Sequence, residues 1–312
     1  MSRRIEMHVQ DATTGRASAA IGAVLVLMRP KQWTKNLLIF AAPLFVLNRL
    51  PVAALASSLL AFASMCLLSS SVYVVNDLLD AERDRHHPSK KNRPIAAGVV
   101  PVWSATLLAW LLLAAGLAIA LYVGLDVLIA SGIYLALQVF YNVLGKHVPI
   151  LDVFIIAMGF VIRAALGAIA IHVQISAWLL LCTGALALLI AVGKRRHEFI
   201  LQAGKSSSRK VLEGYNRTIL DHFVLMTAVG AALCYGVYAI ESKTAKEHPA
   251  LIISTIFVFY GVFRYVYLVF IADEGGEPET LLFRDSHIVA SLVLFVASVA
   301  VAMSGLRLGF LN

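Results

Sequence analysis

The sequence predicts an all-α, polytopic membrane protein, and three observations carry that expectation. The 312 residues are 60% hydrophobic and 14% charged, where an ordinary soluble domain has about 25% charged residues. Apolar runs long enough to cross a bilayer recur along the whole length, with no internal repeat and no Gly/Ser-rich linker between soluble domains. Lys and Arg fall mostly in alternate connections between those runs, as they do in proteins of fixed membrane orientation. The three cysteines, Cys66, Cys182 and Cys234, lie far apart within apolar runs and form neither a metal-ligand spacing nor a disulfide framework.

Taken in order, residues 1–18 are polar with charges of both signs and lack a cleavable-signal pattern, so they are expected to form a flexible cytoplasmic tail. A short amphipathic element near 18–28 precedes the first span. About nine spans follow, near 34–50, 52–76, 102–122, 125–143, 149–172, 177–194, 218–240, 249–271 and 286–306. Of the 26 Lys and Arg, only Arg49, Lys243, Lys246 and Arg307 fall in the opposite set of connections, and Arg163 and Arg264 lie within spans. That asymmetry places the N-terminus and the 77–101, 144–148, 194–217 and 272–285 connections in the cytoplasm, with the chain in the inner (plasma) membrane. The net charge of +8 follows this membrane topology and does not point to nucleic acid.

The second span ends in Asn76-Asp77-Leu78-Leu79-Asp80-Ala81-Glu82-Arg83-Asp84. At ~100° per helical residue, Asn76, Asp77, Asp80 and Asp84 share roughly a 100° arc. Three carboxylates on one face repel one another and need a compensating cation. At the exit from a membrane, Mg²⁺ carrying a diphosphate fits best. Lys90, Lys91 and Arg93 follow closely, which suits a metal–phosphate complex: the metal takes the acids and the cations take the remaining oxygens. His86 and His87 raise the alternative of zinc, but hard oxygen ligands dominate and no thiolate is near, so Mg²⁺ is favoured.

The later spans add polar residues where the bilayer disfavours them. Arg163 lies mid-span, where an unpaired cation costs at least ~2.5–3.5 kcal/mol. Asp152, about 20° away around the same helix, is expected to face the same cavity. Tyr134, Gln138, Tyr141 and Asn142 form one stripe on the fourth span, consistent with a polar cavity wall; interhelical hydrogen bonding is the structural alternative. Trp103, Trp110 and Trp178 read as interfacial or packing residues.

The pattern N-D-x-x-D-x-x-x-D at Asn76–Asp84, with H-P-x-K-x-x-R-P-I-A-A-G at His87–Gly98, resembles the UbiA superfamily of intramembrane prenyltransferases over nearly the whole chain. The resemblance implies nine transmembrane helices around a cavity open to the cytoplasm and laterally to lipid, with 19–312 as one transmembrane catalytic domain. It implies that Asn76, Asp77, Asp80 and Asp84 bind a magnesium–diphosphate. Where aromatic prenyltransferases carry a second aspartate-rich motif, this chain reads Gly193-Lys194-Arg195-Arg196-His197-Glu198, with three strong cations to one acid. Cations in that number suit several phosphates better than one neutral acceptor.

The stretches Arg29–Asn36, Tyr73–Asp77, Lys146-His147, Ile162–Ala164, Gly193–Arg195, Leu212–Tyr215 and Gly276–Glu279 are similar to the decaprenyl-phosphate phosphoribosyltransferase branch. The resemblance implies transfer of 5-phosphoribose from phosphoribosyl pyrophosphate to a polyprenyl phosphate lipid, for cell-wall arabinan precursors. Asp77, Asp80 and Asp84 would hold the metal, and Lys90 and Arg93 the remaining pyrophosphate oxygens. Lys194, Arg195 and Arg163 would hold the 5-phosphate and the lipid phosphate, and Glu198 and Tyr215 the ribose or a metal-bound water. Lys35, Asn76, Tyr134, Tyr141 and Lys146 complete the expected substrate-binding set. A homo-oligomer is compatible with all of this. Two other readings compete: prenylation of an aromatic acid such as 4-hydroxybenzoate, opposed by the basic segment at Lys194–Arg196, and a transporter, opposed by the dense acidic motif and the lack of an inverted repeat.

Overall fold

A computed structural model describes residues 22–86, 90–202, 210–272, 276, 281 and 284–304. The expected tail at 1–18, His87, residues 203–209 of the 194–217 connection, most of Gly276–Glu279 and Arg307 lie outside the described residues. Among the described residues there is no strand. The long helices are α1 (Val52–Arg85), α2 (Val102–Val123), α3 (Leu125–Val143), α4 (Leu151–Ala170), α5 (Ala177–Gln202), α6 (Arg217–Glu241), α7 (Ser254–Ile271) and α8 (Ser286–Met303). All eight are long and apolar enough to cross a membrane, making this a multi-pass membrane protein. The span expected at 34–50 is helical backbone in pieces: a 3-10 segment at Pro30–Phe40, one α-turn at Ala41–Leu44 and a 3-10 turn at Leu47–Arg49. Prolines at 30, 43 and 51 withhold backbone donors along that stretch.

The chain divides into two compact units. The first comprises residues up to Asn36 and Phe62–Tyr122, so it contains most of α1 and α2. Its core joins Ala23 and Leu27 to Val74, Ile95, Val100, Ala105, Ala109 and Leu112. Serines bring α1 and α2 together: Ser64 Oγ donates to the Gly116 carbonyl at 2.8 Å and Ser71 Oγ to the Ala109 carbonyl at 2.9 Å. In an apolar solvent such bonds and small side chains replace the hydrophobic effect as the glue. The other face of α2 is apolar and exposed, with Trp103 70% and Tyr122 82% exposed at its two ends, as interfacial anchors are. Between the two helices the chain reverses through a turn whose Gly98 has φ +73°, a conformation glycine adopts freely. Pro94 and Ile95 are buried there, which fixes Arg93.

The second unit comprises Leu37–Ala61 and Val123 onward. One core cluster joins α4, α5, α6 and α7 through Val153, Leu189, Val192, Leu220, Val224, Val262 and Leu268. Another joins Tyr235 and Tyr238 of α6 to Leu251, Val299 and Met303. Asn216 caps α6, its side chain accepting from the Ile219 amide at 2.8 Å, and Asp285 caps α8 through the Ile288 amide at 2.9 Å. Helices α1 and α5 both run past their apolar stretches, and those extensions carry Asp77, Asp80, Asp84, Arg195 and Glu198. None of the three cysteines forms a disulfide.

Candidate active site

In the first unit, the last turns of α1 present the acidic motif as one helical face. Asp77 is 4% exposed and accepts from Arg29 at 2.5 Å and from Arg93 at 3.0 Å. Asp84 is 1% exposed and accepts from the same Arg93 nitrogen at 2.6 Å. Asp80 sits further out and, among the described residues, pairs only with Arg83, one turn along, at 2.8 Å. The repulsion among the three carboxylates is thus relieved by guanidinium groups, and one of them, Arg93, bridges two acids. Asn76, half-buried on the same face, makes no side-chain hydrogen bond among the described residues. Lys35 and Lys90 are also half-buried in this unit.

Arg29 is the residue that sequence reasoning missed here. It has φ +52°, a left-handed conformation that costs a non-glycine residue of order 1–3 kcal/mol. Its guanidinium lies 5.0 Å from the centre of the Tyr73 ring while it binds Asp77. The buried Ser70 holds the preceding backbone, donating to the Met28 carbonyl at 2.8 Å. The only signal in the sequence was Arg29-Pro30 itself, 48 residues before its partner.

No group of three or more His, Cys, Asp or Glu converges on a metal position among the described residues. That arrangement still fits Mg²⁺, which binds through one or two carboxylates plus phosphate oxygens and water, and not in an all-protein cage. The donors on this face are hard oxygens, and their arginine partners suit phosphate.

In the second unit, α3, α4 and α5 build a buried polar network. Arg195 is 1% exposed and donates to Asp152, to Glu198 and, at 3.2 Å, to the Tyr141 hydroxyl. Asp152, fully buried, also accepts from the Tyr215 hydroxyl at 2.8 Å. That hydroxyl in turn accepts from the Ile150 amide at 2.5 Å. Burial pushes the Tyr215 hydroxyl well above its ordinary pKa, so it stays protonated and remains a donor to Asp152. Ile150 has φ +69° and ψ −50° and the Leu151 amide donates to the Pro149 carbonyl at 2.8 Å, which defines a γ-turn of the rare, strained kind.

Asp152 therefore pairs with Arg195 and not with Arg163, its neighbour on the helical wheel. Arg163, 4% exposed, donates to the Tyr134 hydroxyl at 2.9 Å and the Gly159 carbonyl at 2.7 Å, with its guanidinium 4.7 Å from the Tyr134 ring. The stripe on α3 is divided between these two arginines, Tyr134 serving Arg163 and Tyr141 serving Arg195. Arg196 is also held within the protein: it donates to Asp221 at 2.6 Å and the Val269 carbonyl at 2.7 Å. The basic run at 194–196 thus ties α5 to α4, α6 and α7 through two of its three cations. Lys194 is half-buried beside them. Lys146, half-buried on the 3-10 turn Gly145–His147, makes no side-chain ion pair or hydrogen bond among the described residues.

Comparison with known proteins gives a consistent picture. The profile of the UbiA prenyltransferase family matches residues 37–287. A decaprenyl-phosphate phosphoribosyltransferase of Mycolicibacterium smegmatis is 34% identical over 308 residues, 93% of this chain and 95% of the relative. Another of that name from Corynebacterium glutamicum is 33% identical over 286 residues, 88% and 85% of the two chains. A structure of a UbiA homolog from Archaeoglobus fulgidus bound to GPP and Mg²⁺ superposes with a TM-score of 0.67 at 18% identity, covering 90% of this chain and 99% of that one. At that identity the likeness shows the fold.

Proposed function

Because the chain belongs to the UbiA prenyltransferase family, we infer that it is a membrane pentosyltransferase that moves 5-phosphoribose from phosphoribosyl pyrophosphate to a polyprenyl phosphate. The products are a lipid-linked phosphoribose and pyrophosphate. One observation carries the reading: an acidic helix face clamped by arginines, in a chain a third identical, over about nine-tenths of its length, to relatives named for this reaction. Asp77, Asp80 and Asp84 form the acidic face that would hold Mg²⁺, which would supply positive charge at the leaving pyrophosphate.

The protein's own groups do the rest. Arg93 and Arg29 exchange a carboxylate for phosphate oxygens when the donor arrives, keeping each guanidinium satisfied in both states. Lys90 and Lys35 add positive charge to the same unit. Such preorganised charge favours the transition state, in which the leaving group gains negative charge. In the second unit Lys146, Arg163 and Lys194 are the cations suited to the 5-phosphate and the lipid phosphate. Arg195 and Glu198 hold one another, and Tyr134 and Tyr141 orient the arginines. An oxygen of the lipid phosphate, anionic at neutral pH, attacks the anomeric carbon, so no strong general base is needed. We read residues 19–312 as one catalytic domain in the plasma membrane, with the N-terminus and the active site cytoplasmic.

The test uses membrane vesicles of defined sidedness, radiolabelled phosphoribosyl pyrophosphate and a polyprenyl phosphate. Label should enter the organic phase in inside-out vesicles, depend on Mg²⁺ and stop with a chelator. Prenylation of an aromatic acid in its place, or transfer indifferent to metal, would refute the reading.

A further inference from the structure

We propose that Tyr215 is a positioning residue that latches the strained γ-turn at Ile150 and so holds Lys146 where it meets an anionic substrate. This rests on the phosphoribosyl-transfer reading and assigns Tyr215 an indirect role in it. Three observations support it, all within the second unit.

First, Ile150 is β-branched with φ +69°, a conformation such a residue does not keep unless its surroundings impose it. The Tyr215 hydroxyl supplies that constraint, accepting from the Ile150 amide at 2.5 Å while donating to Asp152 at 2.8 Å. Both of its hydrogen-bonding directions lie within the protein, and the residue is 8% exposed. The hydroxyl is therefore placed to hold the turn and not to touch ribose.

Second, the strained residue is coupled to Lys146 by a continuous run of backbone bonds. The His147 amide donates to Leu144, Val148 to Gly145, Leu151 to Pro149 and Asp152 to Val148, at 2.8–3.2 Å. Each end of this run is packed: Gly145 lies against Ile155 and Tyr141, and the Pro149 ring lies against Gly214, one residue before Tyr215. A Cβ at position 214 would come within 3.3 Å of Pro149 Cβ, so the two segments approach as closely as a glycine allows.

Third, Lys146 has no partner among the described residues although it is half-buried, whereas Arg195 and Arg196 both hold buried or part-buried acids. A lysine is a flexible point charge, so its usefulness to a phosphate depends on where the backbone carries it.

The experiment compares Tyr215→Phe, Ile150→Gly and the double variant in detergent, with amide exchange over residues 145–152 and with KM and kcat for both substrates. Tyr215→Phe should speed exchange at the Ile150 amide. It should raise KM for one anionic substrate about tenfold while kcat changes less than about threefold. Glycine holds φ +69° without a latch, so adding Ile150→Gly should recover most of the lost KM, a rescue that loss of packing would not show. In a Lys146→Ala background, Tyr215→Phe should add little further, because the effect runs through Lys146. An unchanged Ile150 amide in Tyr215→Phe, or a double variant no better than Tyr215→Phe, overturns the latch. A wild-type protein that transfers no phosphoribose refutes the functional reading alone, and amide exchange then decides the latch by itself.

Discussion

At Asp80 the demands of the proposed chemistry and of folding separate. Its single partner among the described residues, Arg83, is an exposed contact one turn away, worth at most about 1 kcal/mol, whereas Asp84 holds a part-buried arginine that also binds Asp77. Asp80→Asn should leave the melting temperature in detergent nearly unchanged and lower kcat/KM at least about a hundredfold. Asp84→Asn should lose activity and about 1–3 kcal/mol of stability together, as Arg93 loses a charged partner. Equal destabilisation by the two variants would contradict this division. The acids themselves were readable from the sequence, because three-and-four spacing fixes a helical face whatever surrounds it. Their arginine partners were only half readable. Arg93 follows in the next turn, but Arg29 depends on a left-handed backbone angle that residue type does not encode. Asp152 shows the same limit: the helical wheel gave its direction, and packing of α5 decided that Arg195, not Arg163, lies there.

Among the elements, α8 shows how one side chain can serve two interactions that mutation can part. Asp285 accepts from the Ile288 amide and pairs with Arg264 at 2.7 Å. The hydrogen bond from Arg264 holds the Asp285 carboxyl below the usual carboxylate range. A native pKa below the unfolded one means the stabilisation is complete above about pH 4 and fades as pH falls through the lower native value. Asp285→Asn should keep the cap and flatten that acid dependence, while Asp285→Ala loses the cap too and costs about a further 1 kcal/mol in a melting series from pH 7 to pH 3. If the asparagine variant keeps the wild-type acid profile, the pair contributes nothing. Hydropathy located α8 well because lipid-facing helices are apolar all round. It ended α1 near 76 and α5 near 194, where the apolar run stops, yet both helices continue through charged turns to Arg85 and Gln202. Hydropathy reports the solvent around a helix and not the helix itself. The same measure drew 34–50 as one span, and backbone hydrogen bonding divides it.

For the whole molecule, composition and charge placement were enough to identify a polytopic helical protein, since a bilayer admits few other solutions for so apolar a chain. Which cations are available to substrate was hidden, because a run such as Lys194-Arg195-Arg196 looks alike in sequence whether or not buried acids answer it. The aromatic ends of α2 carry one last consequence. Trp103 and Tyr122 stand about nineteen residues apart, roughly 28 Å along the axis, and so act as a gauge of hydrocarbon thickness. Lipids with shorter or longer acyl chains would be met by tilting α2, and the serine bonds to α1 would carry that tilt into the acidic face. Turnover in reconstituted vesicles should peak near that thickness and decline on either side; a flat profile across acyl lengths would show that mismatch is absorbed elsewhere.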